Sequence, residues 1–234
     1  MKNKIALCFS GDLRTIDKTI DNILENLINP LKEEFDVHIF FSTWNIDNNE
    51  TINNIKNKLT NLIFEDEVKM DDFFISNYSN ENYRKDSLMC SSTPYNASAM
   101  WYKVWKSKEL YLDYSKQNGI EYSCVFRLRP DIVYNEKIDT SLVHDSINNN
   151  KIYMSKWHGL YESVTFQMLD HFAFGSLENM KILQDTYLNI PKFNKDNVVC
   201  SAEGYLNEQI KSIELERINF SYSVQRDNKI ESII

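Results

Sequence analysis

Two short apolar runs, "IALCF" at 5–9 and "DVHIFFSTW" at 36–44, bracket a segment with a different rhythm. Between them the apolar residues fall at Ile16, Ile20, Ile23, Leu24, Leu27, Ile28 and Leu31, one face of a 3.6-residue period. The flanking runs are short and rich in β-branched and aromatic residues, as buried strands are, and Ser10-Gly11 breaks the first with a turn. Strand, turn, helix, strand is a βαβ unit, so the sheet is predicted to be parallel. Thr15 or Asp17 is placed to cap the helix, and Pro30 to end or kink it.

The rest of the chain extends this alternation. Thr51–Leu59 reads as a second helix, and Asn96–Asn118 as a long one that Gly119 stops. Between them, 64–95 gives mixed signals, with "DDFFISNYSNENYRKDS" in the middle, and reads as an irregular, mobile insertion. Tyr122–Leu128 is a central strand, Lys151–Ser155 another, and His171–Ser176 a third that turns at Gly175. Ser176 caps a helix to about Leu188, with Glu178 in its first turn, and Ser201 caps a last helix to about Ile213. Glu216–Val224 alternates weakly, as an edge strand does. The 234 residues suit one α/β domain over 1–234, with a mostly parallel central sheet flanked by helices.

Charge and cysteine usage narrow the function. A net charge of −8 argues against a broad basic face and hence against nucleic-acid binding, while leaving room for a local basic site. The four cysteines, Cys8, Cys90, Cys124 and Cys200, have no CxxC or CxxH spacing. Cys8 and Cys124 sit in apolar runs and read as reduced core residues, which suits a reducing cytoplasm. The basic start Met1–Lys4 is followed by too short an apolar run for a secretory signal. No segment approaches the roughly 18 apolar residues of a membrane span.

Against this background "CVFRLRPDIVY" at 124–134 stands out. A charge at a core position is costly unless it is paired or used. Strand alternation puts Arg127, Arg129 and Asp131 on one face. Arginine suits planar, bidentate phosphate contact, and a carboxylate beside it can hold a divalent cation or a ribose hydroxyl. The plainer alternative is an internal Arg–Asp cluster that closes the strand. "CFSGDLRT" at 8–15 is the second candidate: Ser10, Gly11 and the helix start could hold polar groups of a nucleotide, and Arg14 could reach a phosphate. It matches neither GxGxxG nor GxxxxGK[ST]. "LDHFAFGSLENM" contributes Asp170 and His171, and "SAEGYLNEQI" contributes Glu203. Taken singly, His171 fits a structural histidine and Glu203 an early-turn helix residue.

Taken in order, "ALCFSGDLRT", "DVHIFFSTW", "VFRLRPDIVY", "DHFAFGS" and "AEGYLNEQI" resemble the GT-A-type glycosyltransferases of bacterial lipopolysaccharide and capsule synthesis, including the WavE-like group. The resemblance runs from Ala6 to about Ile210 and omits 64–95 and the tail after Arg217. It implies a single GT-A-like, Rossmann-type domain with a nucleotide-sugar site at the carboxyl edge of the sheet. The residues expected to form that site are Ser10, Gly11, Arg14, Arg127, Arg129, Asp131 and His171. In that class an Asp-x-Asp strand end holds a divalent ion on the diphosphate. Here Asp131 takes the second position as the implied Mn or Mg ligand, but Arg129 takes the first, which leaves metal dependence open. Glu203 matches the first acidic position of the Asp-Gln-Asp-x-x-Asn found in some retaining members.

The expected activity is transfer of a sugar from a nucleotide-sugar to a glycan or lipid-linked acceptor, in the cytoplasm or at the inner face of a membrane, with peripheral membrane association. Asp170 and Glu203 are the candidate catalytic carboxylates, Asp170 favoured as base because His171 and the strand hold it rigidly. Two other classes remain. A sulfotransferase-like enzyme would need a phosphate loop that the first turn lacks. A non-catalytic nucleotide-sugar-binding module would tolerate loss of Asp170 and Glu203.

Overall fold

A computed structural model of the protein describes residues 2–44, 49–60, 62–64, 94–156, 168–196, 198, 201–226 and 229–233. The predicted irregular insertion 64–95 lies, apart from its two ends, outside the described residues, as do Cys90 and Cys200.

The predicted βαβ unit is present. Strand β1 (Lys4–Gly11) runs parallel to β2 (Asp36–Thr43), with Phe9 opposite Phe41 and the two rings stacked at 4.7 Å. Alternation along β1 feeds two cores. Ile5, Leu7 and Phe9 face the helices that follow β1, while Ala6 and Cys8 face the long helix between 94 and 118. Burial on both faces explains why β1 reads as an unbroken apolar run rather than an alternating one. Cys8 and Cys124 are free, buried thiols, and burial is the main force raising both above the usual range.

The helix after β1 does not stop at Pro30. It runs as α1 (Ile16–Ile23), one wide π turn (Leu24–Ile28) and α2 (Asn29–Glu34). The π turn has Asn29 N–H donating to Leu24 O, five residues back. Proline has no N–H to give to Asn26 O, one turn earlier. That carbonyl instead accepts from Ile138 N–H at 2.9 Å. The proline therefore couples the helix to a distant loop instead of ending it. Thr15 stands at the N-cap without a side-chain hydrogen bond, and Asp17 accepts from Thr51 and Asn54.

Helix α3 (Asn49–Lys58) and strand β3 (Leu62–Phe64) follow, and then α4 (Pro94–Asn118). Gly119, at φ +61, ends α4 as predicted, and Ile120 N–H reaches back to Ser115 O at 3.1 Å. Next come β4 (Cys124–Leu128), β5 (Ile132–Tyr134), α5 (Thr140–Asn149), β6 (Ile152–Lys156) and β7 (Met168–Ser176). Ser176 caps α6 (Leu177–Gln184), accepting from Asn179 N–H. The single helix expected to about Leu188 breaks at Asp185, which ion-pairs with Lys108, and restarts as α7 (Thr186–Lys195). Ser201 caps α8 (Ala202–Ile210), its Oγ accepting from Gly204 N–H at 2.9 Å.

The central sheet has seven strands in the order β3-β2-β1-β4-β7-β6-β8, where β8 is Leu215–Ile218. Its pairs are parallel except for the two made by β7, which runs against both neighbours. Gly175 lets β7 approach β6 closely, since a Cβ there would lie 2.7 Å from Lys151 O. A second, antiparallel sheet joins β5 to β9 (Tyr222–Arg226) and β10 (Lys229–Ile233). The sequence predicted one edge strand over Glu216–Val224. The chain instead splits it, giving β8 to the large sheet and β9 to the small one. No helix among the described residues is long and apolar enough to cross a membrane.

Candidate active site

The parallel strands point their carboxyl ends at a cavity of about 410 Å³. β1 brings Ser10 and Gly11 to it, and Arg14 follows in the next turn. Gly11 sits at φ +127, a backbone conformation that a side chain would strain. β4 brings Arg127, and the turn after it brings Arg129 and Asp131. Because β7 is reversed, its beginning rather than its end reaches the same edge, carrying Asp170 and His171. The first turn of α8 adds Glu203, held in place by Trp101, whose indole N–H donates to Ala202 O at 3.1 Å. All nine residues singled out from the sequence thus line one cavity.

One detail differs from the sequence reading. β4 ends at Leu128, so Arg129, Pro130 and Asp131 form a turn and not a continuing strand face. Two hydrogen bonds pin that turn: Thr19 Oγ1 donates to Pro130 O at 2.6 Å, and Gln225 N–H donates to Asp131 O at 2.7 Å. Behind it, Asn22 holds both polar backbone groups of Tyr134, its Nδ2 donating to the carbonyl at 2.9 Å and its Oδ1 accepting from N–H at 2.6 Å.

Arg127 is 2% exposed. Its Nη1 donates to His171 O at 3.4 Å, and its Nη2 lies 3.8 Å from Asp170 Oδ2. Nε and Nη2 make no hydrogen bond among the described residues. Burial pulls its pKa down to about 10, against the opposing pull of Asp170. It remains a cation at neutral pH with N–H groups to give, and unmade bonds of this kind are costly. Ser10 Oγ is likewise buried and unpartnered among the described residues.

The two candidate catalytic carboxylates of the cavity differ. Asp170 is 4% exposed, and burial disfavours its charge; the neighbouring cations outweigh this and hold its carboxyl below the usual range. Burial pushes His171 down to about 4, so at neutral pH it is uncharged, and Arg127 and Arg129 are the cations that keep Asp170 ionised. Glu203 goes the other way. Burial, with the Asp170 carboxylate adding to it, raises its carboxyl above the usual range. His171 itself lies between Asp170 and Tyr222. Its Nε2 is 3.6 Å from Asp170 Oδ1, its Nδ1 is 3.4 Å from Tyr222 Oη, and Tyr222 Oη is 2.9 Å from Ser155 Oγ.

The implied metal position fits the residues poorly. Both oxygens of Asp131 are taken: Arg129 donates from Nε to Oδ1 at 2.8 Å and from Nη2 to Oδ2 at 2.6 Å, and Arg226 Nη1 lies 3.4 Å from Oδ2. Among the described residues no group of three His, Cys, Asp or Glu side chains is arranged to hold a metal ion.

Trp44 and Arg226 are among the lining residues that sequence reasoning missed. Trp44 directly follows β2 and is 7% exposed, with Lys103 Nζ 4.4 Å from its ring centre. The rule that ligands bind beyond the carboxyl ends of parallel strands would have found it. Arg226 lies on β9, and nothing local in "SYSVQRDN" reports that β9 pairs with β5.

No protein-family model matches the sequence, and a search of curated protein sequences gives no match. Solved structures do match. An active-site mutant of LgtC superposes with a TM-score of 0.55 at 11% identity, over 92% of this chain and 72% of LgtC. The galactosyltransferase LgtC with donor and acceptor sugar analogues gives 0.53 at 11% identity, over 92% and 73%. The apo glycosyltransferase GlyE of Streptococcus pneumoniae TIGR4 gives 0.49 at 10% identity, over 92% of this chain and 45% of GlyE. At such identities the likeness speaks for architecture: the chain has the GT-A-type glycosyltransferase fold.

Proposed function

We propose that this protein is a glycosyltransferase that moves a sugar from a nucleotide-sugar donor to a glycan or lipid-linked acceptor in surface polysaccharide synthesis, working in the cytoplasm at the inner face of a membrane. The observation that carries this reading is the buried Arg127, with N–H groups unspent among the described residues, sharing one cavity with two carboxylates of opposite protonation tendency. Glycosyl transfer breaks the bond between the anomeric carbon and the phosphate oxygen, and negative charge grows on the leaving diphosphate. Fixed guanidinium groups stabilise charge that develops there. Ser10, Gly11 and Arg14 hold the nucleotide at the end of β1.

The carboxylates then divide the remaining work. Asp170, ionised and packed against Arg127 and His171, stabilises positive charge on the sugar ring. Glu203, with a raised pKa and more exposure, is the better proton acceptor for the acceptor hydroxyl. This reverses the preference for Asp170 as base, because a carboxylate held by two arginines is a weak one.

A thermal-shift panel tests the reading. UDP, GDP, CMP and adenosine 3′,5′-bisphosphate are added in turn, with and without manganese. Stabilisation by a nucleotide of the sugar-donor type supports it. Stabilisation by the bisphosphate alone points to sulfuryl transfer. Unchanged ligand affinity in Asp170→Asn and Glu203→Gln, with no turnover of any sugar nucleotide by the wild type, points to a binding module.

A further inference from the structure

We infer that Arg129 and Arg226 together take the place of a divalent cation at this site, so that the nucleoside diphosphate binds without metal. The inference rests on the glycosyl-transfer reading above and concerns how the diphosphate is held.

The Asp131 carboxylate carries two guanidinium groups. Arg129 grips it through two hydrogen bonds, and Arg226 approaches Oδ2 from the second sheet at 3.4 Å. A divalent ion on Asp131 would have to share a carboxylate whose two oxygens already accept from guanidinium groups, and sit beside those cations, a repulsion that water barely reaches because the Asp131 side chain is 7% exposed. The carboxylate is thus a clamp that orients two arginines rather than a ligand.

The arginines can still bind. A guanidinium has five N–H donors, and Arg129 spends two of them on Asp131. Arg129 and Arg226 side chains are 18% and 36% exposed, and both residues line the cavity. The planar guanidinium fork matches two phosphate oxygens at once. The position of Arg226 is fixed by backbone: Val224 pairs with Ile132, and Gln225 N–H donates to Asp131 O at 2.7 Å. The small sheet therefore serves to deliver the second arginine to the turn after β4.

Isothermal titration of UDP, GDP and CDP in turn, once in EDTA and once in manganese, tests this on the wild type, Arg226→Gln, Arg226→Lys and Arg129→Gln. The expected result is one diphosphate bound with the same affinity in both buffers. Arg226→Gln weakens it about tenfold, the scale of one lost charge-assisted bond, and Arg226→Lys recovers part of the loss. The partly exposed Arg226 variants keep the wild-type Tm even where Arg129→Gln fails to fold. Binding that requires manganese overturns the inference and leaves the glycosyl-transfer reading standing, as does Arg226→Gln binding as tightly as wild type. No binding of any nucleoside diphosphate in either buffer overturns both.

Discussion

Arg129 and Asp131 are bound to each other across Pro130 by two hydrogen bonds, 2.8 and 2.6 Å, although only one residue separates them. Burial opposes both charges, yet each holds the other ionised: Arg129 is raised and Asp131 is lowered from its ordinary range. Asp131→Ala leaves two guanidinium groups without their shared anion. It is expected to abolish transfer, weaken nucleotide-sugar binding and cost about 3–5 kcal/mol of stability. Arg129→Ala is expected to cost about 2–4 kcal/mol in transition-state stabilisation. Steady-state kinetics with denaturant unfolding reads both quantities. Normal kinetics in a destabilised Arg129 variant would return the pair to a purely structural role.

Asp170 and Glu203 are expected to respond differently to neutralisation. Asp170→Asn strands the buried Arg127 charge and lowers stability together with kcat. Glu203→Gln lowers kcat without loss of stability. The folded state raises the Glu203 pKa, so the ionised form is disfavoured on folding and wild-type stability falls as pH rises from 4.5 through the raised value. Above that value Glu203→Gln is therefore as stable as the wild type or more so. Kinetics add a second signature: the acidic limb of the pH–rate profile disappears in Glu203→Gln. An unchanged limb would move the base to another residue.

His171 titrates in a window of its own. Burial holds it near 4 in the folded state against 6.5 unfolded. Between those values the unfolded chain binds the extra proton, so the stability that a neutral His171 contributes is whole above 6.5 and drains away as pH falls toward 4. Other groups titrate nearby, so the comparison is differential. Tm measured from about pH 7 to about pH 4 should fall more steeply for wild type than for His171→Asn. Parallel curves would mean that His171 is not held neutral.

Thr19 is the remote support of the turn, donating to Pro130 O at 2.6 Å from α1. Thr19→Val leaves that buried carbonyl unpartnered and is expected to cost about 1–3 kcal/mol. Because Pro130 lies between Arg129 and Asp131, diphosphate affinity should drop as well, and Thr19→Ser should recover both. A loss of Tm with unchanged affinity would make the bond structural alone.

Much of this was legible in the sequence, and unevenly so. β1, β2 and β4 are buried on both faces, so their apolar runs announce themselves. Gly119, Ser176 and Ser201 mark helix ends because a positive φ or an unpaired N–H admits few side chains. Arg127, Arg129 and Asp131 stood out as charges where apolar chain was expected. What stayed hidden depends on partners far along the chain. The reversal of β7 is a property of its pairing with β4 and β6 and leaves no mark in "DHFAFGS". Pro30 misleads because its consequence is settled by Ile138, far along the chain. Arg226 looks like any surface arginine until β9 meets β5.

The second sheet also sets an order of events in time. A chain made from its N-terminus holds every strand of the seven-stranded sheet once β8 (Leu215–Ile218) has been added. By then Ser10, Arg127, Asp170 and Glu203 can all be in position. β5 still waits for β9, its partner in the small sheet, and Asp131 still lacks the arginine that β9 carries. Every strand of the large sheet is thus made before the strand that carries Arg226 to Asp131.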